Sequence, residues 1–360
     1  MAENRNYIPQ LTFLRFLAAI LVVVYHYCNG FFPFNSPYLI NFIKKGELAV
    51  SFFFFLSGVV LTVSYWEKVA IPLKDFFVKR FARIYPVYFL AFAMVVGFFL
   101  IGGSAVNAES SIYQFLAIHA WTPAYTLDIN YPSWSVSVEI LFYVLFPFLL
   151  MYFKRITFSR FFIITILLYL LGVVQYVFLR EPLNSLFPDK AYNVMIFMDG
   201  FPLWHLNTFV FGVFGGVLIL KLRAQNRNYT IAPLWWWLAG CIFIFFLFNT
   251  NNIVKDYAHN GLLSPIFLLI CVGLSLDNSF AVKLLSKKPL VYLGNVSYAV
   301  YLLQFPVLML FLKVFRQDAL NQNNYMIYLA FLTVFSCLTY SIYEKKCREF
   351  ILKYFSKKKV

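Results

Sequence analysis

Apolar residues arrive in long runs, bounded by charges, Pro or Asn. A bilayer core takes about 20 apolar residues per helix, so runs of that length predict membrane spans. Ten fit: 11–29, 47–65, 84–101, 134–153, 161–178, 203–220, 232–249, 262–277, 289–312 and 326–343. The first passes into Gly30 and aromatic residues without a small-residue cleavage site, and Arg15 interrupts it, so a retained helix rather than a cleaved signal is expected.

The polar stretches carry the topology. With the N-terminus in the cytoplasm, 22 of the 30 Lys and Arg fall on the inner side, from Lys68, Lys79, Arg80 and Arg83 to the cluster between Lys345 and Lys359. Only 7 fall outside, and Arg15 lies within the first run. This asymmetry predicts an all-α polytopic membrane protein of about ten transmembrane helices with both termini cytoplasmic. One membrane domain is expected over 1–343, followed over 344–360 by a short basic tail attracted to anionic headgroups. The outer loops 102–133 and 179–202 carry Glu109, His119, Asp128, Glu181, Asp189 and Asp199, and are expected to form a polar vestibule.

Composition agrees: 62% hydrophobic, 21% aromatic and 12% charged residues exclude both an ordinary soluble domain and a disordered chain. The net charge of +15 would suggest nucleic acid in a soluble protein, but here it is accounted for by the inner loops, so no nucleic-acid partner is expected. The five cysteines are scattered and lack a CxxC pair, which argues against a disulfide framework and a zinc site; no metal is predicted. No Walker, GxSxG or GxGxxG motif supports an ATPase, a serine hydrolase of the usual kind or a dinucleotide enzyme.

The chemistry lies in residues that membrane spans rarely contain. Arg15 and His26 are eleven apart, which leaves them ~20° apart in direction and ~16 Å apart along one helix, so both face one cavity at different depths. Glu139 lies about five residues from the outer end of its run, close to the expected depth of His26, which predicts a carboxylate orienting a general base. Arg80 and Arg83, three apart, share a helical face at the cytoplasmic mouth and suit a phosphate group. His205 and Asn207, near the outer end of the sixth run, are candidates to line an acceptor pocket.

These residues sit in segments that resemble the acyltransferase family 3 membrane proteins, which include bacterial O-acetyltransferases of surface polysaccharides and lipopolysaccharide. The opening from Tyr7 through Arg15 to Val22-Val23-Val24-Tyr25-His26 is similar to the family's first helix, and Gly46 to Gly58 to its second. Arg80 and Arg83 before Tyr85-Pro86 resemble its double-arginine element; Trp134, Ser135, Glu139, Phe142 and Tyr143 its tryptophan-serine-glutamate helix; and Leu293 to Leu302 a later signature. Two departures stand out. Gln304 replaces a frequent His, which counts against a catalytic role at that position, and Gln-Leu-Thr-Phe-Leu precedes Arg15 where Leu-Asp-Gly-Leu is commoner.

The resemblance implies transfer of an acyl group, usually acetyl, from cytoplasmic acyl-CoA to a sugar hydroxyl of an extracytoplasmic or lipid-linked glycan, at the bacterial inner membrane. Arg80 and Arg83 would hold the CoA phosphates and Arg15 would guide the donor. His26 would act as general base or as a transient acyl carrier, with Glu139 orienting it. Trp134 and Ser135 would shape the outer pocket, and Tyr143, Ser297 and Tyr298 would line the cavity. A proton-coupled transporter or flippase is the alternative from another class, since an internal Arg, His and Glu also describe a carrier. A non-catalytic partner in a glycan assembly machine is a third.

Overall fold

In a bilayer the backbone satisfies its own hydrogen bonds, and runs rich in Phe, Leu and Val do so as helices. The computed structural model describes residues 7–186, 191–225, 229, 232–249 and 258–356, and every regular element among them is helical. We number the helices α1 (Pro9–Tyr27), α2 (Leu48–Tyr65), α3 (Leu73–Ile101), α4 (Ala108–Phe115), α5 (Trp134–Arg155), α6 (Phe158–Leu186), α7 (Ala191–Gly200), α8 (Leu206–Ala224), α9 (Ala232–Asn249), α10 (Ser264–Leu276), α11 (Lys288–Val314), α12 (Tyr325–Leu338) and α13 (Lys345–Ser356). Eight helices in the described residues are long and apolar enough to cross a membrane, and two shorter apolar ones, Pro233–Phe246 and Ser264–Leu276, fall on the seventh and eighth expected runs. The protein is a multi-pass, all-α membrane protein.

Lipid tails are as apolar as Leu, so helices in a bilayer associate by close packing rather than by hydrophobic exclusion. Two crossings at the centre depend on this. At the first, α2 meets α8, and a Cβ added to Gly212 would lie 2.1 Å from the backbone oxygen of Phe55. At the second, α1 meets α11, where a Cβ on Gly294 would lie 2.1 Å from the oxygen of Thr12. Aromatic rings fill the space around them, with Phe142 of α5 stacked on Phe209 of α8 at 4.3 Å and Phe54 of α2 edge-on to Phe142 at 5.4 Å.

The loop 102–133 does not stay at the outer end of the bundle. Tyr88, thirteen residues before the end of α3 and therefore ~20 Å below it, donates its hydroxyl to the oxygen of Gln114, and Phe115 packs its ring against Tyr85 and Phe89. The loop thus turns back along α3, and α5 begins deep rather than at the surface. Of the expected vestibule residues, Asp199 lines a cavity, whereas His119 is buried, 1% exposed. Asp189 lies outside the described residues, as do Arg5, Lys190, Arg227, Lys255 and the last lysines of the tail.

A π-helical turn over Thr339–Glu344 carries α12 into α13, which packs on α3, and Glu344 is 1% exposed and forms an ion pair with Arg83.

Candidate functional site

Three cavities run in series along α1. The inner one, with about 540 Å³ of empty space partly open to solvent, is lined by Arg15, Ser57, Arg80, Arg83, Glu139 and Tyr143 among others. The middle one, about 390 Å³, shares Arg15, Phe53, Glu139 and Tyr298 with it and adds Ser135 and Ser297. The outer one, about 820 Å³, is lined by His26, Glu47, Tyr131, Trp134 and Asp199, and shares Val50 and Tyr301 with the middle one. Arg15 and His26 therefore face one row of cavities from opposite ends, as their spacing on α1 predicts.

The inner end is cationic and only partly neutralised. Arg83 is paired with Glu344 and lies over the Tyr298 ring at 5.7 Å, while Arg80 lies over Tyr143 at 5.6 Å. Ser57 donates its hydroxyl to Glu139 at 3.2 Å. The Nε of Arg80 is buried without a hydrogen-bond partner, a donor that an anion entering the cavity would satisfy.

His26 is held differently from expectation. Its Nδ1 lies 2.8 Å from Oε1 of Gln304, a residue with 0% exposure. The Gln304 amide is oriented by its other end, since Nε2 donates to the Tyr301 carbonyl at 2.7 Å and a carbonyl only accepts. Oε1 must then accept from Nδ1–H, which leaves Nε2 of His26 as the basic nitrogen. Tyr328 donates to the backbone oxygen of Gln304 at 2.8 Å and Tyr301 to that of Pro132 at 2.8 Å, so α11, α12 and the start of α5 all fix this arrangement.

The proposed His26–Glu139 pair is not formed. Tyr131 marks the depth of His26, their rings meeting edge-on at 5.1 Å, and Glu139 lies eight residues further along a nearly continuous helical path, ~12 Å inward. The expectation placed the start of α5 at the outer surface, whereas the returning loop sets it lower. Glu139 instead faces the arginines. His205 is the second correction: it lines none of the three cavities. Its Nε2–H donates to the Asp199 oxygen at 2.9 Å, and its ring packs on Phe54 at 4.8 Å and Trp134 at 5.4 Å, behind the outer wall. Asn207 donates to the Asn260 oxygen at 2.8 Å and likewise stays within the packing. Ser135 and Ser297 line the middle cavity with their hydroxyls donated to the oxygens of Pro132 and Gly294, at 3.3 and 2.7 Å.

The family model for an acyltransferase domain matches residues 8–344, nearly the whole chain and every residue of this row of cavities. The chain belongs to this acyltransferase family. Among its relatives, the peptidoglycan O-acetyltransferase of Listeria monocytogenes is 27% identical over 338 residues, covering 85% of this chain and 50% of that protein. A putative peptidoglycan O-acetyltransferase of Bacillus subtilis is 26% identical, covering 86% of this chain and 50% of its own. An acyltransferase of Streptomyces mycarofaciens is 36% identical over 152 residues, covering 39% of this chain and 38% of its own. The chain thus spans half or less of the length of these relatives. No solved structure matches it.

Three residues at this row of cavities take positions that the sequence reading does not assign. Gln304 was weighed only as the absence of a His, although an amide in the middle of an apolar run is itself a signal. Glu344 falls in the expected tail, and Glu47 enters only within the segment from Gly46 to Gly58 that resembles the family's second helix. Below the outer cavity, His119 forms a bracket: its ring nitrogens lie 3.3 Å from the Ser133 hydroxyl and 3.4 Å from that of Ser137, and Gln114 donates to Ser133 at 2.5 Å. Burial pushes the imidazole down to about 3, so it stays neutral while pinning the first turns of α5.

Proposed function

We propose that this protein is a membrane O-acetyltransferase that moves an acetyl group from a cytoplasmic acyl-CoA to a hydroxyl of an extracytoplasmic or lipid-linked glycan at the bacterial inner membrane. The observation that carries this reading is the single row of cavities with arginines at one end and a basic imidazole nitrogen at the other. The donor's phosphates would remain with Arg80 and Arg83, where the unpartnered Nε of Arg80 fits an anion. Only the uncharged thioester arm would pass Arg15 into the middle cavity, which avoids burying charge in the membrane.

In the outer cavity Nε2 of His26 would take the proton from the acceptor hydroxyl as its oxygen attacks the thioester carbonyl carbon. The carbon–sulfur bond then breaks, and the imidazolium returns the proton to the departing thiolate. Gln304 supports this step by accepting from Nδ1–H in both the neutral and the charged ring. Glu139, with Ser57, would balance the arginine charge rather than orient the base. The peptidoglycan O-acetyltransferases among the relatives support a carbohydrate acceptor.

The test is mass spectrometry of surface glycans from cells lacking the gene, restored with wild type, and restored with His26→Ala at matched membrane abundance. An acetyl increment that returns with wild type alone is the expected outcome, the variant falling by at least about 100-fold in rate. Identical glycans in all three strains would remove the proposed reaction and turn attention to a carrier.

A further inference from the structure

A groove on the side of the bundle stands apart from the row of cavities. It holds about 1030 Å³ of empty space and is open along its length. Tyr85 and Phe89 of α3, Phe115 at the end of α4, and Phe350 and Ile351 of α13 give it apolar walls, and Lys346 is the one charged residue among the described residues that line it. Its depth follows from α3. Beyond Arg83 this helix carries no charge as far as Ile101, a stretch of ~27 Å that matches a hydrocarbon core. The groove begins just inside that stretch, at Tyr85, while α13 opens with Lys345 and Lys346. The apolar walls therefore lie in hydrocarbon, and the long stem of Lys346 carries its ammonium to the headgroup boundary. Phe350 is 71% exposed, so α13 offers an apolar side to whatever fills the groove.

Such a groove asks for a molecule that is apolar over most of its length and anionic at one end. The surrounding charge has the matching sign: from Lys345 to Val360 the chain carries seven Lys or Arg and one Glu, and basic pockets between membrane helices bind anionic headgroups. We infer that the groove is a binding site for one anionic phospholipid, with an acyl chain lying between α3, α4 and α13 and the phosphate held by Lys346. This goes further than the attraction of a basic segment to a charged surface, because position singles out one lysine. Its neighbour Lys345 turns instead toward Tyr340, 4.7 Å from the ring centroid, and is not among the residues that line the groove. The inference does not depend on the proposed reaction, but it touches the same charges. Tyr343 and Lys346 lie on either side of Glu344 in the chain, and Tyr85 follows Arg83 by two residues, so a lipid that holds α13 on α3 also holds the Arg83–Glu344 pair.

Native mass spectrometry of the full-length protein in an uncharged detergent tests this without requiring turnover. Titrated with phosphatidylglycerol or with phosphatidylethanolamine of the same chains, the protein should bind one phosphatidylglycerol at least about fivefold more tightly than the zwitterionic lipid. Lys346→Gln should abolish that preference, whereas Lys345→Gln, which removes the same charge, should keep it within about twofold. Both lysines are exposed, so neither change disturbs the packing. Cys347→Trp, which fills the groove and leaves both lysines in place, should lower the affinity for phosphatidylglycerol by about fivefold or more at an unchanged elution profile. Glycerol 3-phosphate in excess should not displace the lipid. Equal losses in the two lysine variants would reduce the effect to diffuse attraction and overturn the inference. So would equal binding of the two lipids, full retention in Cys347→Trp, or displacement by the soluble phosphate. A lipid-free dimer that Cys347→Trp disperses would give the groove to a second copy of the chain and likewise overturn it.

Discussion

At the scale of single residues, the proposed reaction turns on which nitrogen of one imidazole is free to take a proton. Gln304 decides it, because its own amide is committed to the Tyr301 carbonyl and can present only oxygen to His26. Gln304→Ala is therefore expected to lower the rate of acetyl transfer by roughly 10–100-fold while leaving the donor KM within about twofold; a matching rise in KM would mean that the residue serves donor binding instead. The sequence supplied the polar residue but not its partner. Glu139 and Gln304 are both anomalies in apolar runs, and only the depth at which α5 starts distinguishes which of them meets His26.

His119 extends the argument to stability. Its folded pKa, about 3, lies below the ordinary value of 6.5, so between those values the unfolded chain binds a proton that the folded protein refuses. Stability then rises with pH across that window and gains nothing further from this group above it. Lowering the pH from 7 to 5 is expected to cost about 2 kcal/mol through His119, and His119→Asn should flatten the dependence of thermal unfolding on pH over that range. An unchanged slope in the variant would assign the acid sensitivity to other groups.

Among the elements, eight of the expected runs were legible as helices of membrane-crossing length, and the other two as shorter apolar helices, because hydrophobic length is encoded locally. The return of loop 102–133 was not, since α4 is short and amphipathic and its position depends on Tyr85 and Tyr88 holding it from α3. Close helix crossings are intermediate: small residues mark them, but the partner does not appear in the sequence. Gly212→Ala places a methyl group against the Phe55 backbone and is expected to cost at least about 3 kcal/mol, seen as loss of folded protein on size-exclusion chromatography. Gly97→Ala, which meets nothing within 4 Å, should retain the wild-type profile, and equal losses in the two variants would dissociate the effect from the crossing.

For the molecule as a whole, charge asymmetry among the loops described a membrane protein, whereas the tie between the basic segment and α3 was hidden. Glu344 stands at the head of a basic segment, and in isolation reads as part of a tail; folded, it neutralises Arg83 and ties the last helix to the third. A buried ion pair contributes little net stability against an apolar substitute, but loss of one partner strands the other charge. The pair thus fixes register where the arginines must hold their geometry.

The row of cavities has a consequence for the membrane itself. A protein hollowed from both faces is an electrical weak point, and insulation rests on the short stretch where only Val50 and Tyr301 are common to the outer and middle spaces. Tyr301 is 6% exposed and its hydroxyl donates to the Pro132 oxygen, so at rest its ring stands between the two spaces and would have to yield to the thioester arm. Proteoliposomes holding Tyr301→Ala should lose an imposed pH gradient several-fold faster than those holding wild type, and an equal decay would place the seal elsewhere. One aromatic ring would then bear on the ion tightness of the membrane as well as on the proposed reaction.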